Sequence, residues 1–141
     1  MNHLVILDAQ AGELEKILSG VKTMVIIEFD PAQPIAHPVS PSDSLYFLSN
    51  KYDYALRVKA TVVRVLPFTN HSDEALPHIL KEMQPRLQLT EDQFNYWSAK
   101  GQIVLVEFGS AQKIVVIQVA PEKITDQLGW IAFEAFNLIT E

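Results

Sequence analysis

The chain has no cysteine and only five glycines in 141 residues. The first absence excludes disulfides, thiolate metal sites and thiol nucleophiles together. The second matters through spacing: the glycines are scattered, so no glycine-rich loop can cradle a phosphate. Long apolar runs are missing too. None approaches the roughly 20 residues of a membrane span, and His3-Leu4-Val5-Ile6-Leu7 is too short for a signal-peptide core and has no basic lead. The expectation is a protein without a membrane partner and with a cytoplasmic location. Basic side chains are in deficit, 11 Lys and Arg against 17 Asp and Glu, for a formal charge of −6. Indiscriminate nucleic-acid binding needs clustered cations, so this balance argues against it. The deficit is uneven. Residues 1–70 carry six basic and seven acidic side chains, and residues 71–141 carry five and ten, so an anion-binding face is expected in the first half.

Hydrophobic residues make up 48% of the chain, which excludes general disorder. A single domain spanning 1–141 is long enough to bury roughly 70% of its unfolded surface in one core. The pattern predicts a strand at about 3–7, a helix at about 12–19 with Glu13 and Glu15 in its first turn, and a strand at about 23–29. Pro31, Pro34, Pro38 and Pro41 make 30–43 a loop, read as a mobile flap whose Gln33 and His37 reach a ligand. Strands follow at about 44–49 and 55–66. In the second, Leu56, Val58, Ala60 and Val62 alternate with polar residues, but Val63 and Val65 sit on the opposite parity, so a bulge or bend is expected near Val62. Leu76, Ile79, Leu80 and Met83 form a helical stripe, and Thr90-Glu91-Asp92-Gln93 reads as a capping box for another helix. Strands at about 102–108 and 113–119 flank Gly109-Ser110-Ala111-Gln112, which reads as a hairpin loop. From Pro121 onward, pattern alone does not separate helix from strand.

The junction between the first helix and the second strand carries the most information. Leu14, Ile17 and Leu18 fall at helical spacing, Gly20 stands where a positive-φ residue closes a helix, and Lys22 leads into Met24-Val25-Ile26-Ile27. On physical grounds alone, a cation held there meets a phosphate, a carbonyl or a carboxylate, or completes the helix dipole in solvent. Gly20-Val21-Lys22 resembles the opening of ASCH domains, a branch of the PUA-like superfamily with the fingerprint G-x-K-x-x-E-x-R. The fingerprint acid falls on Val25 and its arginine on Ile27. Ser42-Asp43-Ser44-Leu45-Tyr46-Phe47 and Arg57-Val58-Lys59-Ala60-Thr61-Val62 are similar to later strands of the same family.

The resemblance implies an α+β fold: a strongly curved mixed sheet forming a PUA-like pseudo-barrel with flanking helices. It also implies a ligand cleft at the Gly-x-Lys junction, with Lys22 and Thr23 in it and Glu28 and the 30–43 loop nearby. The ligand class it implies is RNA or a nucleotide-like small molecule, bound without a cofactor. Some small ASCH proteins are amidohydrolases on acetylated cytidine, using the motif lysine, a threonine at the acid position and a separate glutamate. Val25 can neither attack nor relay a proton, so binding is favoured over that chemistry. A protein-interaction domain is the third reading, with the aromatic and proline content of 31–54 as its surface.

Other candidates come from the residues themselves. Arg57 and Lys59 alternate onto one face of a strand, where they either follow a phosphate backbone or form a solvated outer face. Tyr46, Phe47, Tyr52 and Tyr54 offer stacking surfaces beside them, although adjacent strand residues face opposite ways and one of Tyr46 and Phe47 is accounted for by core packing. His78 and Glu82 are an i, i+4 pair, but two ligands without a third make no catalytic metal site. Phe94, Tyr96 and Trp97 read as core and partial-core residues rather than a stacking platform.

Overall fold

The structure, a computed structural model, describes residues 1–8, 11–28, 39–49, 54–69, 75–123 and 130–140. Among these residues, six strands run in chain order: β1 (Asn2–Ile6), β2 (Met24–Glu28), β3 (Ser44–Leu48), β4 (Ala55–Thr69), β5 (Gln102–Gln118) and β6 (Trp130–Phe133). Among the described residues, three α-helices accompany them: α1 (Glu13–Leu18), α2 (Ala75–Leu87) and α3 (Glu91–Ser98). The strands form one mixed sheet in the order β2-β5-β4-β3-β1-β6. β1 and β3 are parallel, and the other neighbouring pairs are antiparallel. This is the expected α+β arrangement, a strongly curved mixed sheet with flanking helices. Of the proline-rich loop 30–43 expected over the cleft, residues 30–38, with Gln33 and His37, lie outside the described residues.

Bulges in the two long strands produce the curvature. Val62 pairs with Phe108 and Arg64 with Glu107, so Val63 is an extra residue on β4, and it is 55% exposed. This is the irregularity that the parity switch predicts. A one-residue insertion restores Val65 to the face of Val62 and sharpens the local twist. β4 is also the long central strand expected at 55–66, extended to Thr69.

The expected hairpin at 102–119 does not form; β5 is one continuous strand. Thr61 pairs with Gly109 and Lys59 with Gln112, so three steps on β5 face two on β4, and Ser110 takes a left-handed φ of 56°. Gly109-Ser110-Ala111-Gln112 is thus a bulge. The residues that favour a turn also favour the left-handed position of a bulge, and here β4 is long enough to pair with both halves of β5.

Both faces of the curled sheet are covered. Val58, Ala60, Val62, Val106 and Phe108 pack on one face with Phe47 and with Ile17 of α1. On the opposite face, Leu76, Leu80 and Leu87 of α2 cover Met24, Ile103 and Leu105. The C-terminal segment covers another part of the sheet, with Phe133 and Ile139 against Leu4, Tyr46 and Leu56. α3 starts at the predicted capping box: the Gln93 amide donates to Thr90 Oγ1 at 3.2 Å and the Thr90 amide donates to Gln93 Oε1 at 3.0 Å.

Two substitutions test the continuous-strand geometry. Ser110→Gly is expected to be neutral or to stabilise by up to about 1 kcal/mol, because glycine takes the left-handed conformation without steric cost. Gln112→Gly, in extended backbone, is expected to destabilise by about 0.5–1 kcal/mol. Urea unfolding of the two variants side by side reads the difference in sign.

Candidate functional site

The chain turns back on itself after α1. Gly20, at φ 85°, lets the Val21 and Lys22 amides both donate to Lys16 O, at 3.1 and 3.0 Å. The effect on the side chains is the reverse of what their polarity suggests: Val21 is 49% exposed and Lys22 is 1% exposed. The Lys22 ammonium donates to the Leu87 carbonyl at the end of α2 and lies 3.5 Å from Glu13 Oε1. Burial lowers the Lys22 pKa from its ordinary value, against the opposing attraction of Glu13. Glu13 is itself buried, and its other oxygen accepts the Asp8 amide at 2.6 Å.

The buried pair forms part of the wall of a cavity of about 420 Å³. One wall is the end of β1 and the two residues after it, Val5 to Asp8, and another is Val25 and Ile26 of β2. These strands are not neighbours in the sheet: β2 is one edge, and β1 lies inside the other edge strand, β6, which pairs with it only over Asn2–Val5. α3 supplies Asp92, Gln93, Tyr96 and Trp97. Among the described lining residues, three carboxylates (Asp8, Glu13 and Asp92) accompany one cation, Lys22. The interior therefore favours groups that donate hydrogen bonds and disfavours a free phosphate. Apolar side chains and the Trp97 ring provide surface for a planar group.

The expected site residues are not all brought together. Lys22 lines the cavity; Thr23 follows it but is outside the lining, its amide donating to Arg86 O at 2.9 Å and its carbonyl accepting from Phe108. Glu28, the last residue of β2, is 3.4 Å from Lys100, which follows α3. Arg57 and Lys59 lie on β4, and the Lys59 ammonium is 5.7 Å from the centre of the Tyr46 ring. Tyr46 and Phe47 are buried. Tyr52, together with 31–38 and 50–53 of the expected interaction surface, lies outside the described residues. His78 and Glu82 form an exposed pair at 3.1 Å, and the described residues contain no group of three or more His, Asp or Glu placed to hold a metal.

Three contributors escape the sequence reading. Glu13 reads as a dipole charge, and its contact with Lys22 has no signature at that spacing. Asp92 reads as part of a helix start and also lines the cavity. Tyr96 reads as core, yet it is 53% exposed and lines the cavity.

No protein-family model and no curated protein matches this chain. Solved structures do. ASCH from Zymomonas mobilis aligns over 94% of this chain and 87% of that one, with a TM-score of 0.65 and 12% sequence identity. Two point-substituted forms of the same protein align over the same share of this chain, with TM-scores of 0.66 and 0.65 and again 12% identity. The fold is ASCH-like. At that identity the likeness concerns the fold, and it agrees with the PUA-like pseudo-barrel implied by the Gly-x-Lys resemblance.

The buried pair has measurable consequences. Removing one partner of a buried ion pair leaves the other uncompensated, so Lys22→Met is expected to destabilise by about 3–5 kcal/mol, read by urea unfolding. A lysine whose folded pKa lies below 10.5 binds fewer protons folded than unfolded in the window beneath that value. Its contribution to stability therefore rises with pH through that window, by at most about 1.4 kcal/mol per unit. The stability difference between wild type and Lys22→Met should widen in favour of wild type as pH climbs toward 10.5. A pH-independent difference would remove the charge from the account.

Proposed function

We propose that the protein is a ligand-binding module whose cleft at the Gly-x-Lys junction recognises RNA or a nucleotide-like small molecule by its base. The observation that carries this reading is the cavity itself: about 420 Å³, with Lys22 in its wall, Trp97 beside it and carboxylates around it. That volume is in the ordinary range for small-molecule sites, roughly 300–1,000 Å³. Lysine has three N–H donors, and Leu87 O and Glu13 engage two of them, which leaves one for a ring carbonyl. Asp92 accepts from ring or exocyclic N–H groups. A phosphate stays outside, away from the three carboxylates.

A second reading, hydrolysis of an amide on a modified nucleoside, draws on the Lys22–Glu13 pair, since a buried lysine of lowered pKa next to a carboxylate is able to move protons. The buried Val25 in the cavity wall offers no nucleophile, so this chemistry would have to activate a water. Binding is the simpler use of the same groups.

The test is a titration with the four ribonucleosides and N4-acetylcytidine, followed by backbone chemical shifts and by product analysis. Shifts clustered on Ile6–Asp8, Lys22–Ile26 and Asp92–Trp97 are the expected result, without turnover. Trp97→Leu keeps apolar bulk against α2 and removes the ring; it should weaken binding by about 1–3 kcal/mol, the usual worth of a base–aromatic stack. Deacetylation of N4-acetylcytidine would replace binding by the hydrolytic reading. Shifts confined to β4 around Arg57 and Lys59 would move the site out of the cavity.

A further inference from the structure

Tyr96 combines two properties that core packing does not require. It lines the cavity, and about half of its surface, 53%, is exposed. Its ring is also held in place. Trp97 meets it nearly perpendicularly, with centroids 5.1 Å apart and planes at 85°. The Lys100 ammonium lies 4.3 Å from the ring centre, and Lys100 is in turn 3.4 Å from Glu28 on β2. An exposed aromatic braced by a second ring and an anchored cation loses little freedom when a planar group stacks on it.

We propose that Tyr96 is the stacking platform for a second base, so that the ligand is a single-stranded oligonucleotide of at least two nucleotides. One base enters the cavity beside Trp97, and its chain neighbour lies on Tyr96 at the rim. This rests on the base-recognition reading above and adds a length requirement to it. The charges fit that order. The carboxylates lining the cavity keep the phosphodiester outside, and Glu28 offsets the charge of Lys100, so stacking, not phosphate neutralisation, supplies the added affinity.

The experiment compares each ribonucleoside with its dinucleoside monophosphate (ApA, CpC, GpG, UpU) by calorimetry and by the chemical shifts of the Tyr96 ring protons. The best-bound base should bind at least about fivefold more tightly as the dinucleotide, with the Tyr96 ring shifting only for the dinucleotide. Tyr96→Leu should abolish the dinucleotide advantage, and Tyr96→Phe, which keeps the ring, should retain it. Equal affinity of nucleoside and dinucleotide overturns the inference and leaves base recognition standing. A dinucleotide advantage that survives Tyr96→Leu also overturns it, since the second nucleotide would then be held elsewhere. Binding of neither probe removes base recognition and this inference with it.

Discussion

The end of α2 presents three successive backbone carbonyls, those of Arg86, Leu87 and Gln88, that the helix itself cannot satisfy. Each finds its donor in one short stretch of chain: the Thr23 amide, the Lys22 ammonium and the Lys16 ammonium. Two of the three donors are cations at the negative end of a helix dipole. Burying the Lys22 charge is costly, and the carbonyl and Glu13 offset that cost only while both stay in place. Glu13 extends the same cluster to β1 by accepting the Asp8 amide. One set of polar contacts thus fixes β1, α1, β2 and α2 relative to each other. α3 inherits the position, because Gln84 of α2 holds both the amide and the carbonyl of Leu89, immediately before the Thr90 cap. The cavity walls are these elements, so its shape follows from the lysine junction.

Local signals in the sequence were legible where the structure answers to local chemistry. The parity switch after Val62 marks a real bulge, and Thr90-x-x-Gln93 marks a real capping box, because in both cases the residues that decide the geometry are adjacent. Gly109-Ser110-Ala111-Gln112 was misread for the same reason. Its local chemistry permits a turn or a bulge, and the choice is made by the length of β4 opposite, which no local window contains. The lysine junction was legible as a place but not as an environment. The contact that buries Lys22 comes from Leu87, 65 residues away, and only the packing of α2 brings that carbonyl to the ammonium. Tyr96 shows the converse: its place in an aromatic run with Phe94 and Trp97 suggests core, but it stands two residues and one residue from them, off the face of α3 that they share, and is 53% exposed.

A second polar network ties β1 to its two neighbours in the sheet. His3 is fully buried, accepts the Trp130 indole N–H at Nδ1 (3.1 Å) and meets Asp43 Oδ2 through Nε2 at 2.8 Å. Indole nitrogen can only donate, so neutral His3 carries its proton on Nε2 and gives it to Asp43. Burial raises the Asp43 pKa, but the hydrogen bonds from His3 and the Ser40 amide outweigh it and hold the carboxyl below its ordinary value. That stabilisation is present above the ordinary carboxylate pKa of 3.8 and is lost as pH falls through the lower, folded value. The network joins β6, β1 and the entry to β3. Both flanks of β1 are thereby held, β3 on one side and β6 on the other over Asn2–Val5, while the residues that follow, up to Asp8, line the cavity.

This division bears on how much weight the Gly-x-Lys motif itself carries. Gly20 and Lys22 stand without the fingerprint acid and arginine, and the partners of Lys22 explain how: they are a helix carbonyl and a glutamate from α1, neither of which belongs to the motif. A lysine that closes a helix end and organises a junction has reason to be present whether or not a ligand touches it. Val25 and Ile27, at the positions of the missing charges, are both buried apolar residues, and Val25 lines the cavity. On the proposed reading, the chemistry offered to a ligand comes mostly from the α3 wall of the cavity, which carries Asp92, Tyr96 and Trp97. The lysine junction fixes the elements that wall the cavity, and under that proposal α3 supplies most of the groups that would tell one ligand from another.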